Sequence, residues 1–495
     1  MTRWPERERG ATHRRRLVQR VVTLLLVSVL GSCDSLLDVE LPGQVTEDAL
    51  YTPGQATILV NSAASLFECG YSDFVASDAA GSEDVMTRDT GWWGGRHEFA
   101  PAPSTGECNT QDTGLGWWTP LQAGRLVAEE TYNRLANEWD VSEVSGDPER
   151  LMAELAIYNG ATYGLFGEHF CEVAFEGGTL MSPDAVLAEA EQWLTDAMSH
   201  IGAAGGDFAF PAGVSSSAEQ LALLLRARVR WARGDATGAA SDANQIDEGF
   251  VAYVTRDAGG ERTRWNKVYN SHNQEQINTV IGAVDWWSGP ANPATGLDWP
   301  SVIPFTGYRD LAILADGRAV TDAGDAITLA DAGAVADPRV PVTDEGRVFN
   351  EHPVWRQQKY PGLGEDIALA RWEEAWIILA KIAGGQTAVD RINDIRAAHG
   401  LPLATYVDAG DPDQVRNLIL EDERRTLFLE GRWWSTKIQE GLWFPRGVGQ
   451  VQPPTTFGYL GGVRMTMPDN EFLLNENLTL DDRATLCDPV EAPQV

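Results

Sequence analysis

Residues 182–203, SPDAVLAEAEQWLTDAMSHIGA, and 216–243, SSAEQLALLLRARVRWARGDATGAASDA, decide the fold class of this 495-residue chain. Ser182-Pro183-Asp184 is a helix start: a capping hydroxyl, a proline whose missing N–H costs nothing in the first turn, and an acid favoured by the helix dipole. Behind it Ala190, Trp193, Leu194, Ala197, Met198 and Ile201 recur at steps of three and four, which puts them on one helical face. Ser216 and Glu219 have capping-box spacing, and the helix they open carries Leu221, Leu224, Leu225 and Arg228. Gly234-Asp235 then reads as a turn into a small-residue helix through Ala239, Ala240 and Ala243.

Trp231-x-x-Gly234-Asp235-x-x-x-Ala239 resembles the inner turn of a tetratricopeptide repeat, where Gly permits a tight turn and Ala close packing. The unit recurs. Trp372, Ala375, Trp376, Leu379 and Ala383 form one stripe, Gly384-Gly385 a turn, and Ala388, Ile392 and Ile395 the next stripe. The spacing also predicts helices over about 120–138 and 413–440. The repeat helices thus fall mainly in 120–248 and 367–440, and the fold class is mainly α, in helix-turn-helix pairs with large irregular insertions.

The insertions, about 70–116 and 250–366, read as loop-rich, with short strands at Phe250–Val254 and Gln276–Ile281. Long ordered loops usually carry function. Of 18 Trp, eight stand in adjacent pairs, at 92/93, 117/118, 286/287 and 433/434. Neighbours on a helix point about 100° apart, so both seldom enter one core face. Trp117-Trp118 and Trp433-Trp434 border periodic helices and are expected in the core. Trp92, Trp93, Trp286, Trp287 and Trp299 lie among Gly, Pro and Asp. Their flat faces suit stacking on sugar C–H surfaces, and Arg96, Asp285 and Asn292 are candidate hydroxyl partners, with loop packing as the alternative.

With 38 basic and 72 acidic residues, the net charge of −34 argues against nucleic acid and against a polybasic membrane surface. Seven Arg in residues 1–20, the apolar run Val21–Leu30 and Leu30-Gly31-Ser32-Cys33 read as an export signal, the run being about half a bilayer span. Leu-Gly-Ser-Cys resembles a bacterial lipobox, which implies cleavage after residue 32 and lipidation of Cys33, typically with palmitate; an ordinary signal peptide is the alternative. Cleavage would leave 31 of the 38 basic and 70 of the 72 acidic residues, a mature charge of −39. Residues 33–50 then form an acidic leader and 51–495 a single body, held at the membrane by lipid only. Cys69, Cys108, Cys171 and Cys487 are an even set that reads as up to two disulfides of open connectivity. The seven His show no ligand spacing, and no metal or cofactor is expected.

No nucleophile elbow, Walker A loop, GxGxxG or HExxH occurs, which lowers the prior for an enzyme. Four places resemble the SusD/RagB-like nutrient-binding lipoproteins: Cys33-Asp34-Ser35-Leu36-Leu37-Asp38; Arg371–Ala380 continuing to Gly400-Leu401-Pro402; Ile419–Lys437, ILEDERRTLFLEGRWWSTK; and Met467–Glu471 with Asn475 and Asn477. Thr426 and Ser435-Thr436 depart from the family pattern. In the third block the acids and arginines are expected to form a partly buried ion network, with Glu421–Arg425 as one pair. The resemblance implies a lipid-anchored, outward-facing outer-membrane protein that is not an enzyme. It implies binding of an oligomeric nutrient, most often an oligosaccharide, and delivery to a SusC-like TonB-dependent transporter. The rival readings are a protein-binding helical scaffold and an exported glycoside hydrolase.

Overall fold

The computed structural model describes residues 50–82, 84–87, 116–275, 278–280, 311–321, 334–349, 352–442 and 464–483. The chain divides into Met1–Thr52, of which residues 50–52 are described, and Pro53–Val495, which holds the named helices and strands. The fold is mainly α. Six helices come first: α1 Ala56–Gly81, α2 Trp118–Asn137, α3 Pro148–His169, α4 Pro183–Ala203, α5 Ala218–Ala232 and α6 Ala236–Ala243. Each packs on the next in sequence, as short connections between amphipathic helices dictate. Their starts are capped as the residue types require. Asp147, Ser182 and Asp235 accept from the first-turn N–H groups of α3, α4 and α6. At α5 the cap is Ser217, bonded to the Gln220 N–H, and not Ser216.

A second set, α7 Trp372–Ala383, α8 Gly385–Ala398 and α9 Pro412–Thr426, stacks onto the first through α5 and α6. The turns are where the glycines stand: Gly234, Gly384 and Gly385 all have positive φ, at 81°, 61° and 54°. The helix expected over 413–440 is two. It stops at Thr426, and α10 begins at Trp433 and ends at Gln439. Between them Leu429 and Gly431 adopt φ of 57° and 72°. A side chain on Gly431 would press on Phe74 and Val75 at 3.0 Å. Tertiary contact therefore overrides helix propensity here. A last short helix, α11, spans Asp469–Leu474.

Two expectations need correction at the N-terminal end. The stretch from residue 70, expected to be loop-rich, is helical as far as Gly81 and forms a strand at Val85–Thr87. The periodicity was unreadable because every residue of α1 from Phe67 to Gly81 is buried, including Glu68, Ser72, Asp73, Ser77 and Asp78. A helix covered all round has no polar face to give it a period. Its small residues allow the close approach: a Cβ on Gly70 would lie 2.8 Å from Leu121 Cγ, and one on Gly81 would enter the Trp434 ring. Helix α2 starts at Trp118, two residues before the expected Pro120. Trp117, Trp118, Trp433 and Trp434 are all core residues, exposed by 5% or less.

The strands are short. β1 Val85–Thr87 pairs with β3 Asn278–Val280, and β2 Val251–Val254 pairs with β9 Ile367–Arg371, all antiparallel. β4 Leu311–Ile313 lies between β5 Ala319–Thr321 and β6 Val335–Ala336, and β7 Val342–Phe349 forms a hairpin with β8 His352–Gln357. The short strands expected at Phe250–Val254 and Gln276–Ile281 are β2 and β3, and the insertion also holds the pairs β4–β5 and β7–β8, which were not expected.

The third resemblance block forms a buried ion network. Asp422, 0% exposed, takes Arg396 and Arg339 at 2.7 Å each, and Arg339 also holds Asp337 at 2.7 Å. Arg432 spans Glu168 at 2.7 Å and Glu374 at 3.2 Å, and Glu374 holds Arg228 at 2.6 Å. Glu430 takes Lys359 at 2.6 Å and Arg371 at 3.0 Å. Glu421 and Arg425 are paired as expected. Burial alone would raise the Glu168 carboxyl, but the Arg432 guanidinium overrides it and holds the group down at about 2.

Candidate functional site

The β1–β3 ladder matches Val85 with Val280, Met86 with Thr279 and Thr87 with Asn278. Thr87 leads into 88–115 and Val280 into 281–310, the two segments that carry most of the candidate residues. Partners across an antiparallel pair lie only about 5 Å apart. The pairing therefore joins both segments, far apart in sequence, to one small ladder, from whose opposite ends they depart: Thr87 lies across from Asn278 and Val280 across from Val85.

The buried half of α1 leads to β1 and holds the segment that precedes β3. Ser72 Oγ donates to the Trp265 carbonyl (3.3 Å) and accepts from the Lys267 N–H (3.1 Å). A π-helical turn, Tyr269–Glu275, follows and leads towards β3. π-Turns are rare and are frequent at functional positions. Here the turn is held from both sides. His272 Nε2 lies 2.9 Å from the Ala76 carbonyl, which requires the proton on that nitrogen, and Asn273 Nδ2 donates to the Gln357 carbonyl at 2.9 Å. Burial lowers His272 to about 4, so the imidazole is neutral at physiological pH.

The charges of α1 are treated unequally. Glu68 pairs with Arg264 at 2.6 Å and with Arg256 at 3.1 Å. Asp78 accepts the Trp434 N–H at 3.3 Å through one oxygen. Burial, with Asp84 beside it, pushes the Asp78 carboxyl well above the usual range. Asp73 is 0% exposed, and neither of its oxygens makes a hydrogen bond of ordinary geometry. Burial pushes it up to about 7, against the pull of Lys267, of Arg256 and of the backbone at Gly116, where the segment 88–115 rejoins the body.

A separate cavity of about 20 Å³ is lined by Tyr71, Gly164, Glu168, His169, Arg228 and Arg432 among others. That is room for one water and none for a ligand. Among the described residues no cluster of three His, Cys, Asp or Glu side chains suits a metal ion. The arrangement ties α1, the π-turn and β8 together next to the strands from which 88–115 and 281–310 depart.

Trp92, Trp93, Arg96, Asp285, Trp286, Trp287, Asn292 and Trp299 lie outside the described residues, as do Cys33, Cys108 and Cys487. Cys69 and Cys171 are each disulfide-bonded. What the structure adds is the group Asp73, Asp78, Lys267 and His272, none of which sequence reasoning singled out. The available signal was the acids and serines at 68, 72, 73, 77 and 78, on more than one face of a helix too apolar to be a surface helix.

No family model and no curated protein matches the sequence. Solved structures do match its fold. A SusD superfamily protein from Bacteroides fragilis aligns with a TM-score of 0.55 at 12% identity, over 86% of this chain and 99% of that one. A laminarin-binding SusD-like protein aligns with a TM-score of 0.50 at 15% identity, over 86% and 98%. A SusD-like carbohydrate-binding protein from Bacteroides vulgatus aligns with a TM-score of 0.50 at 14% identity, over 86% and 97%. The fold of this chain is therefore SusD-like.

Proposed function

We propose that this chain is a lipid-anchored outer-membrane protein facing outward, which binds an oligosaccharide and delivers it to a SusC-like TonB-dependent transporter. The observation that carries the reading is the SusD-like fold, shared over most of the chain with proteins described as laminarin-binding and carbohydrate-binding. The ladder supports it, since it joins two tryptophan-containing segments, far apart in sequence, to one pair of strands. Binding proceeds by stacking and hydrogen bonds without turnover, and Cys33 carries the lipid. The test is calorimetry of the soluble fragment from Asp34 onward against a panel of glycans and peptides. Saturable glycan binding without product release is expected. Trp286→Ala or Trp92→Ala should weaken it about tenfold or more, as loss of an aromatic anchor does at a binding site. Product release from oligosaccharides, or binding of peptides alone, would overturn the reading.

A further inference from the structure

The cavity between α3 and α5 is set apart by its lining. About 20 Å³ is open there, and one water needs only about 10–15 Å³. Cavities that stay dry are apolar. This one is bordered by Tyr71, Glu168, His169, Arg228 and Arg432.

His169 is 0% exposed. Its Nδ1 lies 2.8 Å from the Leu165 carbonyl, one turn back on α3. A carbonyl only accepts, so Nδ1 carries a proton. Burial lowers the imidazole to about 4, and a neutral ring has a single N–H. Nε2 is therefore an acceptor, and among the described residues nothing donates to it.

Tyr71 and Arg228 donate elsewhere. Tyr71 Oη serves the Glu430 carbonyl at 3.1 Å, and Arg228 Nε and Nη2 serve Glu374 and the Leu369 carbonyl at 2.7 and 2.9 Å. Arg432 spends both Nη groups on Glu168, at 2.7 and 2.9 Å. Its buried Nε–H lies 3.2 Å from Glu374 but makes no hydrogen bond of ordinary geometry. The lining thus holds an acceptor without a donor and a donor without an acceptor. Unmade hydrogen bonds in the interior are costly, and one water can satisfy both groups at once. Two guanidinium groups disfavour a cation there, and the Glu168 carboxylate an anion.

We propose that the cavity is a binding site for one ordered water, which donates to His169 Nε2 and accepts from the Arg432 Nε–H. The water joins the end of α3 to the residue that caps α10, where the block 419–437 is seated on the first set of helices. The proposal uses no residue of the candidate loops and does not depend on the glycan reading.

The full chain is crystallised, as the parent and as His169→Phe, at a resolution that shows single waters. The parent should show one peak in the cavity, within hydrogen-bond distance of His169 Nε2, and the variant none. Deuterium relaxation dispersion of the solvent should count one long-lived water fewer in the variant. Urea unfolding should show its folded-to-unfolded ratio lowered by about tenfold, because the Arg432 N–H loses its partner. A dry cavity reverses that sign: phenylalanine would then remove an unpaired acceptor and fill space, and the variant would be the more stable chain. A parent cavity without a peak, or with one out of reach of His169 Nε2, overturns the proposal whether or not the variant folds. So does a peak that persists in the variant, an unchanged count of long-lived waters, or a variant more stable than the parent.

Discussion

Two buried charge systems in this molecule are built on opposite terms. Around Asp422, Glu168 and Glu430, each carboxylate has an arginine or lysine within 3.0 Å. Along the second half of α1, Asp73 has no hydrogen-bond partner and Asp78 keeps one oxygen unpaired. Both systems are buried, so burial alone does not distinguish them. The first joins segments distant in sequence: Arg339 precedes the β7–β8 hairpin, Arg396 sits on α8, and Asp422 on α9. It makes one arrangement of those elements cheaper than any other. The second lies on the helix that leads into β1. There the protein accommodates the charge by shifting the carboxyl towards its neutral form. A buried group left without a partner in this way is more often tied to function than to stability.

The largest effect should come from breaking the matched system. Asp422→Ala leaves Arg396 and Arg339 buried beside a vacated carboxylate. Removing one member of a buried pair typically costs about 3–5 kcal/mol, a large part of the stability of most domains. Urea unfolding should show the midpoint falling sharply, or the chain failing to accumulate folded. A loss under about 1 kcal/mol would mean that the network contributes little, and the contrast would collapse.

The parts legible in the sequence are those whose signal is local. The α4 to α6 helices announce themselves through Ser182-Pro183-Asp184, a stripe at steps of three and four, and Gly234. The 371–402 pair does so through its own stripe and Gly384-Gly385. The charged block at 419–437 betrayed a buried network because Leu427, Phe428, Leu429, Trp433 and Trp434 leave it no wet face. Its break before Trp433 was hidden, since the close approach of Gly431 to Phe74 and Val75 is a contact between residues distant in sequence. The second half of α1 was hidden because burial on all sides erases its period. The β1–β3 ladder was hidden because three-residue strands carry no alternation. The candidate site was legible only as segments. Tryptophans among Gly and Pro marked 88–115 and 281–310, while their shared ladder is a long-range pairing that no local pattern encodes.

A substitution in the unmatched system should act with the opposite sign. Asp73→Asn keeps the shape and removes a charge that the site does not accommodate. Its carboxyl stands at about 7 in the folded chain against an ordinary 3.8. The folded state therefore holds its proton where the unfolded state has lost it. The stability this gives is complete below about pH 4 and is lost as pH rises through about 7. Glu168 runs the other way: held down at about 2, it stabilises above its ordinary 4.5 and loses that contribution in acid. Asp73→Asn should thus match the parent near pH 4 and exceed it at pH 7 by up to about 4 kcal/mol, with a flatter stability profile between. Thermal melts at half-unit steps of pH would show it. A variant less stable than the parent at pH 7 would mean that the ionised carboxylate is used, and that Asp73 belongs with the matched charges after all.

The smallest expected effect isolates burial from pairing. Glu130 and Arg134 on α2 lie 2.6 Å apart, as close as Arg396 and Asp422 at 2.7 Å, but their side chains are 41% and 26% exposed where the latter are 1% and 0%. Water already solvates both ends of the exposed pair, so breaking it strands nothing. Glu130→Gln should cost no more than about 0.5 kcal/mol, and less in 0.5 M salt. Read from the same urea unfolding as Asp422→Ala, this pair sets the scale on which the buried network is judged. If the two substitutions cost alike, proximity of opposite charges would account for both, and the distinction between paired and unpaired buried charge would lose its physical basis. If they differ by severalfold, what separates them is the stranded arginines, which is the cost that α1 avoids by keeping Asp73 protonated.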